Sequence, residues 1–550
     1  MRILVLGGYG VFGGRLARLL ADRADAHLIL AGRSLAKAEA IAKTLTNAKA
    51  ARVDRNGDMA AALADLKPDL VVDASGPWQG YGAAPYRLVE TCIAAGVSYL
   101  DLADATDFVE AIGQFDAAAK AAGVTVISGL STCPVLTAAA VREVSAGMTK
   151  VTAITAGIGP SPYSGVGLNV IKALTSYAGE KVRHGEGTAF LDHRSLTVAP
   201  PGHTPLGRRL FALVDTPDSA ILPKLWPGVK VWFGAGPVPE FWLRMLMVFA
   251  GLHRWKLMPR VDVFAPIAHR VINTFNWGEH RGGMFVTVDG EGPSGPMTRT
   301  WHLVAEGDDG PYIPAMPAAA LIRRWLDGQA PPPGARDGTG DLGMADYQAI
   351  FATKQIFTGL REPDAAGASL YRRLLGPAFD TLAPALRQAH GLRTSGGFAG
   401  KAAVERPKGL LANAFADLMG FPKPGQDVPV QVDFEIDGPR EIWRRNFAGR
   451  LFKSIQSAGK GRYEYLQREA FGPVNAVVAL EAADAGLTLK IRGWTLFGVP
   501  MPAWLGPTTI AREFEDAEGR FNFDAEIGLA FLGKLVRYRG WLVPGGPAPG

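Results

Sequence analysis

The chain opens on Ile3-Leu4-Val5-Leu6, an unbroken apolar run, and short strand-like segments recur at His27–Ala31, Ala51–Asp54, 70–77, Val97–Leu102 and Val124–Ser128. Runs with no polar alternation suit strands of a parallel sheet that is covered on both faces. Between them lie segments with apolar residues at helical spacing: Arg15–Arg23 through Leu16, Leu19 and Leu20, then 81–95 and 105–122. Strand and helix alternating in this way predict a doubly wound α/β domain over 1–140, with ligands at the carboxyl ends of the strands.

After this the pattern changes. Residues 141–350 carry strand-like runs (Val151–Ile158, Met284–Val288, Arg299–Ala305) and an amphipathic helix, Ala318–Leu326, that reads as lying back on the first domain. This is an α+β domain in the place of a substrate-covering and dimer-forming sheet. Pro331-Pro332-Pro333-Gly334 and the glycines up to Gly343 read as a loop, and a boundary falls near 352–367. Residues 368–545 begin with helices (Leu370–Leu375, Leu382–His390, Leu410–Leu418) and then turn strand-rich from Val428 to Leu542, with Trp443–Gln456 reading as one strand. Strands of this length joined by short turns predict an antiparallel sheet or partial barrel. Such a sheet could cup an apolar ligand or serve as a packing module.

Trp226–Met258 gathers Trp226, Trp232, Trp242 and Trp255 with Phe233, Phe241 and Phe249, flanked by His253, Arg254 and Lys256. It is too short and too charged to span a bilayer. Two readings stay open: a buried helix hairpin or apolar pocket wall, and a segment lying at a membrane surface with its cations outward.

Composition narrows the classes. The 550 residues exceed a single core, and 48% hydrophobic with 20% charged residues is ordinary for a globular protein. A net charge of +6 is too diffuse for a nucleic-acid partner. Two cysteines, Cys92 and Cys133, form no disulfide framework and fit a reducing, cytoplasmic setting, with peripheral contact at the inner face of a membrane as the further expectation. The nine histidines show no metal-ligand spacing, so no metal is expected.

The chemistry is concentrated where the first strand ends. Gly7-Gly8-Tyr9-Gly10-Val11-Phe12-Gly13 gives G-x-G-x-x-G between a strand and a helix. There, glycines permit a tight turn and backbone approach to a pyrophosphate, and the helix N-terminus supplies unpaired donors. The second strand ends in Gly32-Arg33-Ser34, without the acidic residue that would hold a ribose 2′-hydroxyl. Arg33 can pair with a 2′-phosphate, with Ser34 and Lys37 as donors, so the expected cofactor is NADP. Asp54 is placed to meet the adenine, and Ser75 and Gly76 end the fourth strand near the nicotinamide half.

These residues resemble the saccharopine dehydrogenase-like family of NADP-binding oxidoreductases. The resemblance rests on GGYGVFGGRLA (7–17), AGRS (31–34), VVDASGPWQGYG (71–82), the run from Cys92 to Leu102 and AAKAAGVTVISGLSTCP (118–134). It implies a dehydrogenase acting at a carbon–nitrogen or similar bond. Ala103-Asp104 stands where relatives often carry Gly-Glu, and no arginine set for a dicarboxylic amino acid is evident, so that substrate is not transferred. The segments 370–391, 441–447, 493–502 and 519–542 resemble a second, uncharacterised domain found fused to such modules.

Hydride transfer leaves the protein to position substrate and move a proton, so candidates lie at strand ends. Asp101 and Asp104 follow the fifth strand and Cys133 the sixth. For Asp101 a backbone anchor, and for Cys133 a packed thiol, are the competing roles. Tyr177-Ala178-Gly179-Glu180-Lys181 matches the Y-x-x-x-K of short-chain dehydrogenases, but Gly179 interrupts the helix that this pairing needs. The expected function is an NADP-dependent oxidoreductase with an apolar or amphipathic small-molecule substrate. The alternative is a catalytically silent NADP-binding scaffold or lipid-binding protein at a membrane. A homodimer is a further expectation.

Overall fold

Ile3, Leu4, Val5 and Leu6 are all buried in β1 (Arg2–Leu6), as an inner strand of a parallel sheet requires. The structure, a computed structural model, describes residues 1–165, 167–258, 260–274 and 277–545. Helix α1 (Val11–Leu19) returns the chain to β2 (His27–Gly32), and β3 (Ala48–Arg52), β4 (Leu70–Asp73), β5 (Ser98–Asp101) and β6 (Thr125–Ser128) follow. These strands are parallel, in the order β3-β2-β1-β4-β5-β6. That is the doubly wound order, with its switch point between β1 and β4. The ends of β1, β4 and β5 are therefore neighbours.

The second sheet uses β7 (Lys150–Gly159), β8 (His193–Leu196), β9 (Arg209–Leu213), β10 (Lys230–Ala235), β11 (Arg281–Gly292) and β12 (Gly295–Glu306). They run in the order β12-β11-β7-β10-β9-β8, antiparallel except for β7 beside β10. The helix Met316–Leu326 returns to the first sheet, where Arg323 donates to the Leu19 carbonyl at 2.7 Å. The segment read as a loop after Pro333 instead holds β13 (Gly334–Asp337), which adds a parallel strand beside β6. Its glycines hide it from a propensity reading, and the pairing partner supplies the order that Gly-Ala-Arg-Asp lacks.

The aromatic stretch also differs from a helix hairpin. Its first part is β10, with Trp232 buried in the sheet, and only Glu240–Arg254 is helical.

The described residues form two compact units: Met1–Leu196 with Arg209–Phe357, and Thr197–Arg208 with Thr358–Gly550. β14 (Ile356–Arg361) carries the chain across that division. The second unit contains β15 (Gly396–Glu405), β16 (Gly425–Asp437), β17 (Arg440–Phe447), β18 (Arg450–Ala458), β19 (Gln467–Phe471) and β20 (Val474–Ala483). It continues with β21 (Gly486–Leu496), β22 (Val499–Pro500), β23 (Pro507–Glu515), β24 (Phe521–Leu529) and β25 (Gly533–Pro544). All but β22 join one antiparallel ring, β20-β19-β18-β17-β16-β15-β25-β24-β23-β21, which β20 closes by pairing with β21.

The barrel is thus complete rather than partial. The missing piece was β15, whose glycines look like a loop. A Cβ on Gly400 would lie 1.8 Å from the Trp541 carbonyl oxygen, so only glycine lets β25 close here. Trp443–Gln456 proves to be two strands, β17 and β18, joined by a tight turn in which Ala448 and Gly449 have φ of 48° and 90°.

Candidate functional site

The turn after β1 is built around two glycines that cannot be replaced. Gly7 has φ of +73°, and a Cβ there would lie 2.7 Å from the Ala74 carbonyl oxygen. A Cβ on Gly13 would lie 2.3 Å from the Gly7 carbonyl oxygen. The first closes the loop onto the segment after β4; the second lets α1 approach β1. Gly10 donates to the Gly7 carbonyl at 2.7 Å and stands at the N-cap of α1 without a side chain to cap it. The first N–H groups of α1, from Val11 and Phe12, therefore point outward without an intrahelical acceptor. Val11 is half exposed. Gly8 is buried and donates to the Ala31 carbonyl at 3.1 Å, joining this turn to β2. A backbone cradle that a methyl group would obstruct, at the N-terminus of a helix with no acidic residue in its first turn, fits a dinucleotide pyrophosphate.

Tyr9 reaches from this loop to the end of β2. Its ring lies against Gly32, where a Cβ would come within 2.5 Å, and its hydroxyl accepts from the Ser34 N–H at 3.1 Å. Arg33 projects outward beside it and is exposed, as is Lys37. Asp54 is exposed in the turn after β3 and accepts from the Asn56 N–H at 3.0 Å.

The segment after β4 hangs on Asp73, a buried carboxylate with no place in the sequence reading. It accepts from the Ser75 N–H at 3.0 Å, the Ser75 hydroxyl at 2.5 Å, the Tyr81 hydroxyl at 3.1 Å and Arg55 Nε at 3.0 Å. Arg55 also lies over the Tyr81 ring, 3.4 Å from its centroid. The Ser75 hydroxyl proton is therefore committed within the protein, while the Ser75 backbone borders Gly7 and Gly76 packs on Trp78. A lone Asp at a strand end, with an Arg some twenty residues earlier, carried no recognisable spacing.

Asp101 is wholly buried at the end of β5. One carboxylate oxygen accepts from the Ala103 N–H at 2.9 Å, the Gly129 N–H at 2.8 Å and the Ser128 hydroxyl at 3.0 Å. The other has no hydrogen-bond partner. Burial pushes its pKa up to about 7 against the pull of those donors. Asp101 thereby ties the ends of β5 and β6 together.

Asp104 is in a different setting. Solvent reaches it, yet protein atoms crowd the carboxylate, and that desolvation raises its pKa. Gln79 Nε2 donates to it at 3.3 Å. Cys133 lies in the irregular turn after β6, beside the buried carboxylate of Asp218. Desolvation, then the Asp218 charge, raises the thiol pKa well above its ordinary value, so Cys133 is a neutral thiol and not a thiolate. Asp218 is held up to about 6, first by burial.

Tyr177 completes the group. Its hydroxyl faces the Asp215 carbonyl oxygen at 3.5 Å, and its pKa is raised, by burial and then by Asp215, Asp104 and Cys133. The helix Leu168–Ser176 stops just before Tyr177, and Lys181 is exposed in a β-bridge with Thr188. The Y-x-x-x-K pair is therefore not assembled, while the tyrosine itself is brought near Asp104 and Cys133. No spacing in the sequence announced Asp218 or Gln79.

No group of three or more metal-ligating side chains is present among the described residues. No helix among them is long and apolar enough to cross a membrane.

Residues 3–127 match the saccharopine dehydrogenase NADP binding domain, and residues 382–542 match a domain of unknown function, DUF4166. The matched segments thus pair a saccharopine dehydrogenase-like NADP binding domain at residues 3–127 with a domain of unknown function that takes in most of the barrel. Similar solved structures include apo saccharopine dehydrogenase (L-Glu forming) from Saccharomyces cerevisiae, at 16% identity and TM-score 0.45, covering 66% of this chain and 100% of that one. Another is the WlbA dehydrogenase from Thermus thermophilus in complex with NAD and alpha-ketoglutarate, at 11% identity and TM-score 0.30, covering 60% and 90%. A third is biliverdin reductase from Synechocystis sp. PCC 6803 with biliverdin and NADP+, at 13% identity and TM-score 0.30, covering 60% and 92%. No curated protein matches the chain.

Proposed function

We propose that the chain is an NADP(H)-dependent oxidoreductase acting on an apolar or amphipathic small molecule, with Asp104 as the group that holds and moves the proton. The observation that carries this reading is the placement of a crowded, solvent-reachable carboxylate just beyond β5, in the sheet whose β1 end forms the Gly7–Gly13 cradle. A nicotinamide cofactor, when bound, supplies or accepts the hydride. The cradle and the α1 N-terminus bind its pyrophosphate, and Arg33 with Ser34 and Lys37 meets the 2′-phosphate. Asp54 borders the adenine side, and the backbone of Ser75 and Gly76 borders the nicotinamide side.

The remaining residues position rather than react. Asp101 fixes the turn that presents Asp104, through its bond to the Ala103 N–H. Cys133 stays protonated beside Asp218, and with Tyr177 it gives the site a neutral wall. Crowding raises the Asp104 carboxyl above its ordinary range, and a weaker acid suits a group that must both release and recover a proton. Arg183, the guanidinium that acts on Asp215, is already paired with Asp107, which supports an apolar substrate over a dicarboxylic one.

A membrane surface is the proposed setting. Phe241, Val248, Trp255 and Leu257, on or just after the helix Glu240–Arg254, are 60% or more exposed (64%, 60%, 74% and 68%). Exposed Arg254, Lys256, Arg260 and Arg270 lie in the same stretch. Aromatic and aliphatic side chains beside cations suit an anionic lipid interface.

The test is NADPH consumption by the purified chain against a panel of long-chain ketones, aldehydes and imines. Turnover that Asp104→Asn removes while NADPH binding persists is the expected result. Tight NADPH binding with no turnover on any of them would favour the silent scaffold.

A further inference from the structure

The barrel encloses a cavity of about 330 Å³, within the range of sites that bury a small ligand. Its wall is mostly apolar: Val432, Phe447, Phe471, Ala476, Trp494 and Ile527 alternate inward from strands all round the ring. A closed antiparallel ring of ten strands is wider than one whose own side chains fill it.

The two ends of the barrel differ. At one end the hairpin turns are stopped by helices: Arg373 donates to the Pro439 carbonyl at 3.1 Å and Ala383 to the Ala485 carbonyl at 2.8 Å. Tyr371 and Leu386, from the helices Leu370–Leu375 and Pro384–His390, are fully buried there. At the other end lie the connections 405–425, 447–450, 471–474, 496–507 and 529–533. Leu410, Leu411, Leu418, Phe497, Trp504 and Phe531, all on these connections, are 62–90% exposed. Phe415, Leu505 and Phe531 from the same connections line the cavity, so the exposed apolar rim is continuous with the apolar interior.

Charge decides which apolar molecule fits. Inward Arg445 is paired with Glu469 at 3.3 Å and donates to the Ser454 hydroxyl at 2.8 Å. Inward Glu513 shares a hydrogen bond with His390 at 2.6 Å. A ligand with its own charge would have to displace one partner of a desolvated pair, which costs more than it returns. Gln456 and Glu469 still present polar edges to the cavity for one neutral hydroxyl or carbonyl.

We infer that this barrel holds one uncharged long-chain lipid, its single polar group against Gln456 and Glu469 and its tail toward the rim formed by 405–425, 496–507 and 529–533. This inference does not rest on hydride transfer, so either can fail alone.

The experiment uses the full chain and the fluorescent probe N-phenyl-1-naphthylamine, displaced by 1-dodecanol, dodecanoate or dodecylammonium. The expected result is displacement by dodecanol at a concentration at least tenfold below that for either ion. Ala476→Trp, which places an indole in the cavity, should lose probe binding, while Lys453→Trp on the outer face of β18 should keep it. Should the indole unfold the barrel, Ala476→Leu carries the same test, with probe affinity reduced severalfold. No saturable probe binding by the native chain, equal displacement by the ions, or undiminished binding in the folded Ala476 variant would overturn the inference. NADPH titration of the same samples should be unchanged throughout.

Discussion

The hydroxyl of Tyr9 accepts a hydrogen bond from the Ser34 backbone N–H at 3.1 Å, tying the turn after β1 to the turn after β2. Both turns belong to the proposed cofactor site, one for the pyrophosphate and one for the 2′-phosphate, so a single phenol sets their spacing. Tyr9→Phe keeps the ring on Gly32 and removes only this bond. One neutral hydrogen bond contributes about 1 kcal/mol, which corresponds to roughly a fivefold loss of NADPH affinity. NADH, which has no 2′-phosphate, should be affected less. Calorimetric titration of both cofactors checks this.

Gly13→Ala should be far more damaging than its size suggests. The added methyl meets the Gly7 carbonyl oxygen at 2.3 Å, so either the turn or the start of α1 must move. NADPH binding is expected to fall by two orders of magnitude or more. The control is Gly113→Ala, which has nothing within 4 Å of the added Cβ and should bind normally.

Asp101 makes stability depend on pH in a definite direction. Its folded pKa is raised to about 7 by burial, so the protonated form is the one the fold prefers. Its contribution is fully present below about pH 4, its ordinary range, and is lost as pH rises through about 7. Asp218, raised to about 6, acts in the same sense. Each unit of raised pKa corresponds to about 1.4 kcal/mol. Asp101→Asn keeps an oxygen for the Ala103, Ser128 and Gly129 donors and removes the charge. Its melting temperature should match the native chain near pH 5 and exceed it at pH 8. A variant less stable than the native chain at pH 8 would contradict this assignment.

Part of the fold and of the site is legible in the sequence. The cradle was legible because its chemistry is largely local: Gly10 and Gly13 are constrained by Gly7 and Gly8 of the same turn, and β1 announces itself by four apolar residues. The parallel order followed from the alternation of strand and helix. Asp73, Asp218, Gln79 and Tyr177 were not legible as a site. Their partners come from distant segments, and nothing local distinguishes a strand-end Asp that anchors backbone from one that faces a ligand. Asp101 and Asp104 lie three residues apart, and only burial separates them. The barrel was legible as antiparallel strands and illegible as closed. β15 is rich in glycine and alanine and carries few large apolar residues to announce it, and the turn at Ala448-Gly449 lay inside a run that reads as continuous.

The exposed side of the helix Glu240–Arg254 makes its own prediction. Val248→Glu with Trp255→Glu places two carboxylates on the face proposed to meet lipid. Flotation with vesicles rich in anionic lipid should recover the native chain and lose this variant, and high salt should weaken recovery. Equal recovery of both would remove the membrane role from this face and leave the rest of the account untouched.

On the proposed function, Arg33, standing where an acidic residue would select NAD, makes this an NADP site. Titration of the native chain and Arg33→Asp with NADPH and NADH tests it most directly. A charge-assisted contact to phosphate contributes roughly 1.5–3 kcal/mol, or about one to two orders of magnitude in affinity. The native chain should therefore bind NADPH at least tenfold tighter than NADH, and Arg33→Asp should abolish that preference with little change for NADH. Equal affinity of the native chain for both cofactors, or an equal loss of both in the variant, would contradict it.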